Sequence, residues 1–213
     1  MPKAFSEQEK EIIAARLLEQ GEKQFSVYGL RKTNVEEIAR AAGISKGAFY
    51  LFYESKEDLF MDVVEGIEER VRKELMEAVD LPGPSPRARL YSVFKKAVEL
   101  FSSLPILHYI TGGDFELLFR RMPAKKLQDH LSNDRDFFDA LMKRCENAGI
   151  PIRVSADRIV SLFYPLVMSI LHTEDIPQGM LGGNLDILLE LIAAYCVGEV
   201  EIQLQNPGQP INN

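Results

Sequence analysis

Apolar residues recur along this chain in steps of three and four, and no stretch alternates with the period of two that a half-buried strand requires. Between Ser6 and Gly29 the residues Ala14, Leu17, Leu18, Gly21, Phe25 and Tyr28 keep that step, with Ser6 and Glu9 spaced as a capping box and Gly29 as a stop. A second helix, barely two turns long, is predicted from a capping box at Thr33 and Glu36, with Val35, Ile38, Ala39 and Ala42 on its face and an end at Gly43. Ser45 caps a third, and Ile44 and Phe49 are placed to staple its entry. Ser55 with Asp58 opens a fourth, which runs to about Val79 and carries Phe60, Val64, Ile67, Val71 and Leu75 on one stripe. At 1.5 Å per residue that helix is about 37 Å long.

The stretch "LPGPSP", Leu81 to Pro86, is a boundary that no helix crosses. Beyond it the periodicity predicts helices at Arg87–Leu104, Phe115–Met122, Ala124–Asn147, Ser155–His172 and Leu185–Gln203, with Ser132-Asn133-Asp134 offering a restart inside the third of these. "GGD" at 112–114 and "LGG" at 181–183 read as turns or helix breaks, and Pro165 should kink its helix. The expected fold is all-α. Residues 1–54 form a head, 55–205 a larger helical body entered through the fourth helix, and 206–213 a disordered tail, "NPGQPINN".

Two short helices joined by the turn Ala42-Gly43-Ile44, with a longer helix before them, make a helix-turn-helix. In such a unit the second helix enters the major groove of double-stranded DNA, and its first residues face base edges. Here those residues are Lys46, Gly47, Ala48 and Tyr50, while Phe49 points back to the core. Glycine at 47 allows close backbone approach, Lys46 carries charge for phosphate or guanine, and Tyr50 can donate to a phosphate. Lys56 adds charge at the start of the fourth helix, beside backbone N–H groups that favour phosphate.

The net charge of −7 argues against nucleic acid until its distribution is considered. Residues 1–56 hold 9 Lys/Arg against 8 Asp/Glu, and Arg31 to Lys56 hold 5 against 3, so a small basic segment sits on an acidic body.

The run "TNVEEIARAAGISKGAFYLFYESKEDLF", Thr33 to Phe60, resembles the DNA-binding region of the TetR family of bacterial transcriptional regulators. The resemblance covers about residues 8–62. It implies DNA contacts at Thr33, Lys46, Gly47, Tyr50 and Lys56, with Ser45 as cap and contact. Ala48 stands where the family pattern commonly has threonine, so one hydroxyl contact is absent. Phe52-Tyr53 inverts the usual Tyr-Phe order, which leaves open whether Tyr50, Phe52 or Tyr53 faces phosphate.

Residues 87–213 carry 11 aromatics, mostly on apolar helix faces. Most should be core; the alternative is an apolar cavity between helices, the usual small-molecule site in a bundle. Phe101, Tyr109, Phe115, Phe119, Phe163 and Tyr164 are the pocket candidates, for a small hydrophobic or aromatic ligand. Ser155–His172 and Leu185–Gln203 are apolar on opposite faces, so one side of each can meet its own domain and the other a second copy, as the last two helices do in the family. Cys145 and Cys196 lie 51 residues apart, suggesting reduced core thiols. His108, His130 and His172 have no metal spacing, and no nucleophile, phosphate-loop or dinucleotide motif is present, so no cofactor, metal or catalytic activity is expected. The longest nearly apolar run, Ile159 to Leu171, has 13 residues, short of a membrane span, and the opening residues lack a signal-peptide core, so the expected location is the cytoplasm.

The expected function is that of a homodimeric regulator, acting as a repressor on a palindromic operator and released by a small apolar ligand. The alternative is a ligand-sensing or protein-interaction dimer whose helix-turn-helix has lost useful DNA affinity.

Overall fold

The computed structural model describes residues 5–109, 124–171 and 182–201. The helix expected at Phe115–Met122, the candidates Phe115 and Phe119, His172 and the tail 206–213 lie outside them, as do the side chains of His108 and Tyr109. The described residues are helical without a strand, so the all-α expectation holds. In chain order the helices are α1 (Glu7–Lys32), α2 (Val35–Ala41), α3 (Lys46–Phe49), α4 (Lys56–Val79), α5 (Pro86–Ser102), α6 (Pro105–Tyr109), α7 (Ala124–Asn147), α8 (Ala156–Leu171) and α9 (Gly182–Cys196).

The local start signals act as the spacing predicts. Ser6 accepts from the Glu9 N–H at 3.2 Å while the Glu9 carboxylate accepts from the Ser6 N–H at 2.7 Å, a full capping box. Ser55 accepts from Asp58 N at 3.1 Å, and Ser85 from Ala88 N at 3.2 Å with Pro86 at the first helical position. Gly29 interrupts α1 with φ 69°, a left-handed conformation that a side chain would resist, and the chain completes one more turn to Lys32.

Four expectations are corrected. Thr33 does not cap α2. Asn34 does, accepting from Glu36 N at 2.9 Å, because Thr33 is buried and its hydroxyl donates to the Gly29 carbonyl at 2.6 Å. The α5 region ends at Ser102 rather than Leu104, and α6 starts anew at Pro105. α7 runs unbroken through Ser132-Asn133-Asp134. α9 opens at Gly182 rather than Leu185, inside the "LGG" that reads as a turn or helix break, and stops at Cys196 instead of Gln203, where Gly198 at φ 79° lets Glu199 N reach back to the Ala194 carbonyl at 2.9 Å.

α1, α2 and α3 close a head on the first turns of α4; α5 packs on α4 and α9, α7 on α4, and α8 on α5 and α7. Leu17, Phe25, Leu30, Ile38, Phe49, Leu59 and Phe60 are fully buried in the head. That core continues down α4 through Val64, Ile67, Val71 and Leu75 to Ala97 of α5 and Ile106 of α6, so no packing gap separates head from body. A second cluster joins Val79, Phe94, Cys145, Ile150, Leu189, Ala193 and Cys196. The Arg89 guanidinium pins the lower end, donating to the carbonyls of Val79 (2.9 Å), Leu81 (3.2 Å) and Ala148 (2.6 Å), which terminate α4 and α7. Both cysteines are free and buried. Among the described residues no helix is long and apolar enough to cross a membrane.

The α1–α4 crossing is set by Gly21. A Cβ there would lie 3.1 Å from Leu59 Cδ2 and 3.3 Å from Val63 Cγ2, whereas one at Gly66 would meet nothing within 4 Å. Gly21→Val should therefore cost about 1–3 kcal/mol through overpacking, and Gly66→Ala should gain up to about 1 kcal/mol through helix propensity. Urea unfolding midpoints check both, and a Gly21→Val protein as stable as the parent would contradict this packing.

Candidate nucleic-acid interface and ligand cavity

The outer surface of the head is built around a helix of four residues, too short to persist without anchors. Ser45 supplies one by accepting from Ala48 N at 3.1 Å. Phe49 supplies the other, fully buried, with its ring 5.4 Å from Tyr50 and 5.8 Å from Tyr53. With Phe49 fixed inward, Ser45, Lys46, Gly47 and Tyr50 face outward and Ala48 is half-buried. A Cβ at Gly47 would meet nothing nearer than the Ser45 hydroxyl at 3.9 Å, so no crowding within the chain demands glycine there. What the missing side chain provides is a flat backbone surface toward whatever lies outside.

The three rings of the inverted motif separate cleanly. Tyr50 is 51% exposed. Phe52 packs on the head core with its ring 6.1 Å from Phe5. Tyr53 is held inward by a hydrogen bond with Asp62, and burial, with the Asp62 charge second, pushes its hydroxyl well above the ordinary tyrosine range. Tyr50 is thus the ring available to a partner. Leu51, which the sequence did not single out, is 75% exposed beside it. The signal that could have found it is the anchoring of Phe49, which turns the following residues outward.

Two expected contacts have structural duties. Thr33 is buried beneath the surface. Lys56 Nζ donates to the carbonyls of Arg31 and Thr33, each at 3.1 Å, and so caps the end of α1 with the first residue of α4.

The body holds a cavity of about 390 Å³, walled by α4, α5, α6, α7 and α8. Of the pocket candidates, Phe101, Phe163 and Tyr164 line it; Phe94 and Phe137, not singled out from sequence, line it too. Among the described residues its walls are apolar apart from the Tyr164 hydroxyl and one polar cluster. There Arg72 donates to Asp134 at 2.5 Å and to Glu68 at 3.2 Å, with its guanidinium 5.5 Å from the Phe137 ring centroid. His130 Nδ1 is 3.6 Å from Glu68 and Nε2 is 3.8 Å from Asp134. Glu68, His130 and Asp134 bring ligand atoms within 4.8 Å of one another, a group that could hold a metal ion if Arg72 withdrew. Burial pushes the Glu68 carboxyl up to about 7, with His130 and Arg72 opposing and Asp134 and Glu65 adding to the rise. The sequence hint was two polar pairs at i,i+4, Glu68/Arg72 and His130/Asp134, beside apolar stripes.

A capped helix-turn-helix set on an all-helical body with an internal cavity defines a helix-turn-helix protein with a ligand-sized chamber. Residues 17–63 match the family described as bacterial regulatory proteins, tetR family. The uncharacterised HTH-type transcriptional regulator YdgC of Bacillus subtilis (strain 168) is 40% identical over 58 residues, 27% of this chain and 30% of that protein, so the chain covers under a third of that relative's length. A TetR family transcription regulator from Marinobacter aquaeolei VT8 shares the fold over 90% of this chain and 98% of its own, with a TM-score of 0.60 at 15% identity. SmeT, the repressor of the Stenotrophomonas maltophilia multidrug efflux pump SmeDEF, does so over 92% and 94%, with a TM-score of 0.56 at 18% identity. The likeness to the tetR family model is thus confined to residues 17–63, while the fold of the chain is that of these solved regulators.

Two stability predictions follow from the geometry. Lys56→Met should lower stability by about 1 kcal/mol through loss of the α1 cap, while Lys46→Ala leaves the melting temperature unchanged; equal melting temperatures for both variants would remove the clamp. Glu68 binds its proton more tightly folded than unfolded, so ionising it costs the fold stability as pH rises from 4.5 to about 7, and the cost is complete above that. Glu68→Gln should therefore melt above the parent at pH 8 and level with it at pH 4, as followed by circular dichroism.

Proposed function

We propose that this protein is a homodimeric transcriptional regulator that represses by occupying a palindromic operator and is released by a small apolar or aromatic ligand. The observation that carries it is the outward face of α3, with Ser45, Lys46, Gly47, Ala48 and Tyr50 presented by a capped helix whose inner residue, Phe49, is fully buried. Lys46 reads guanine or phosphate, Tyr50 donates to phosphate, and the Gly47 backbone lets the helix lie close to the groove floor. Leu51 adds an apolar contact suited to a thymine methyl. Lys56 contributes charge through its one remaining proton, and Thr33 positions that lysine through its own carbonyl. Repression as the sign of regulation draws on SmeT, described as a repressor.

The second copy would pack on α8 and α9. Tyr164, Ile187, Leu188 and Leu191 leave 61%, 60%, 41% and 55% of their surfaces exposed in the single chain, while Leu189 on the opposite face of α9 is 1% exposed. Large apolar residues left exposed on α8 and α9 mark an interface.

Release would run through α4 and α6. α4 begins at the head with Lys56 and lines the cavity with Phe60, Met61, Val64 and Glu68, and α6 lines it with Ile106 and Leu107 while packing on α1. A ligand that binds one head spacing better by about 1–3 kcal/mol changes operator affinity 5- to 150-fold.

A gel shift on the DNA upstream of the protein's own coding region tests the function. Sequence-specific, salt-sensitive binding is expected, weakened about tenfold or more by Lys46→Ala, on the scale of about 1–3 kcal/mol for one base contact; no specific shift would leave the alternative of a ligand-sensing dimer with a degenerate head. Light scattering tests the interface. Leu191→Asp should give a folded monomer and Leu189→Asp an unfolded chain, whereas a folded Leu191→Asp dimer would contradict it.

A further inference from the structure

We propose that Lys126 is a positioning residue for the DNA-binding head: through Asp58 it lets α7, a wall of the cavity, hold the head independently of the backbone of α4. This rests on the reading of α3 as the DNA-contacting helix and adds a residue that touches no DNA itself.

α4 and α7 are each 24 residues long, and they are tied at three levels in the same order along both. Lys126 donates to Asp58 at 2.9 Å, Arg72 donates to Asp134 at 2.5 Å, and Arg144 donates to the Met76 carbonyl at 3.1 Å and pairs with Asp80. Each α7 partner lies 62 to 68 positions after its α4 partner. So steady an offset means that the two helices run side by side in the same direction; between antiparallel neighbours the offset would change by about two residues for each residue advanced. Between the first tie and the last, Phe137 packs on the α4 core, and Leu141, Met142 and Cys145 join the second cluster. α7 is a splint along α4, and its inner side, through His130, Asp134, Phe137 and Phe138, lines the cavity.

The middle and lower ties join one part of the body to another. The Lys126 tie reaches the first turn of α4, where the head begins. The Asp58 side chain is 17% exposed against 49% for Lys126, so the carboxylate is the covered partner and the one that needs its counter-charge. Asp62 and Glu65 act on the same ammonium, and together with the hydrogen bond to Asp58, which contributes most, they hold it above the ordinary lysine range. One cation on α7 thus serves three carboxylates spread over two turns of α4. Two residues before Asp58, Lys56 caps α1 and reaches the Thr33 carbonyl. Immediately after it, Leu59 and Phe60 enter the core that also holds Phe49, the anchor of α3. A displacement of α7 is therefore delivered to the turn from which the head is hung. A partly exposed ion pair contributes little to global stability. Its leverage comes from its position, with one end on the cavity wall and the other on the head.

Hydrogen exchange followed by mass spectrometry on the full chain, without DNA, tests this hold. Lys126→Met and Asp58→Asn should each speed amide exchange in α2, α3 and the first turn of α4 about two- to fivefold, the size of effect that such an ion pair supplies, and leave α9 unchanged. The double variant should exceed neither single variant, since both remove one tie, and Lys126→Arg should restore the parent rates. Unchanged exchange in the head, additive effects, or an equal rise throughout the chain, which reports a general loss of stability, would each overturn the proposal. A second readout separates positioning from DNA contact. On DNA that gives a specific gel shift, Asp58→Asn removes a negative charge and would tighten binding if charge alone mattered. The tie predicts that both variants weaken binding, Lys126→Met with its salt dependence unchanged. Tighter binding by Asp58→Asn, or a salt slope lower by about one for Lys126→Met, as loss of a phosphate contact gives, would overturn it. Absence of any specific shift would instead strike the regulator reading, and the exchange rates would still decide the tie.

Discussion

Everything in this fold depends on α4 satisfying two environments with one stripe of side chains. Its first turns place Leu59, Phe60 and Val63 in the head core, its middle lends Val64, Ile67, Val71 and Leu75 to the cavity wall, and its last turn puts Ala78 and Val79 into the second cluster. A 24-residue helix of about 36 Å is stiff on that scale. A change at the middle cannot be absorbed locally without opening one core or the other, since close-packed interiors transmit displacement. The clamp at its start extends the constraint: Lys56 holds the end of α1 and, through the Thr33 carbonyl, the approach to α2. Lys126 of α7 pairs with Asp58 at 2.9 Å, fastening the cavity's far wall to the same turn.

Much of the head was legible in the sequence because its signals are local. A cap and its partner sit three residues apart, so Ser6, Ser45 and Ser55 announce their helices without tertiary knowledge. Thr33 and Asn34 show where that fails. Either can cap, and the choice falls to Asn34 because Gly29's left-handed turn presents a buried carbonyl to the Thr33 hydroxyl. The ends of α5 and α9 were misplaced for a related reason: periodicity continues past both, and the stops are made by Pro105 starting a new turn and by Gly198 closing a Schellman motif. Ser132-Asn133-Asp134 looked like a break, but Asp134 is held across the helix boundary by Arg72, 62 residues earlier in the chain.

The cavity was legible in kind rather than in membership. An apolar chamber within a helical body follows from helices with too much apolar surface for a single face, and Phe101, Phe163 and Tyr164 belong to it. Its polar cluster was hidden because Glu68 and His130 come from different helices, and neither spacing nor composition brings them together. The imbalance that was visible, a basic stretch from Arg31 to Lys56 on an acidic chain, reappears as exposed cations on three helices of the head, Arg31 and Lys32 on α1, Arg40 on α2 and Lys46 on α3.

The central claim is that filling the cavity moves the heads through α4. Spin labels at Ile12→Cys, on the exposed side of α1 at 46% exposure, would report the separation of the two heads in a dimer. The native thiols would stay unlabelled, since burial holds Cys145 up to about 11 and Cys196 up to about 12. The account predicts that the distance distribution shifts when a small apolar compound, shown by calorimetry to bind, occupies the cavity and that operator affinity falls in step. An unchanged distribution with the cavity demonstrably filled and operator affinity intact would contradict it.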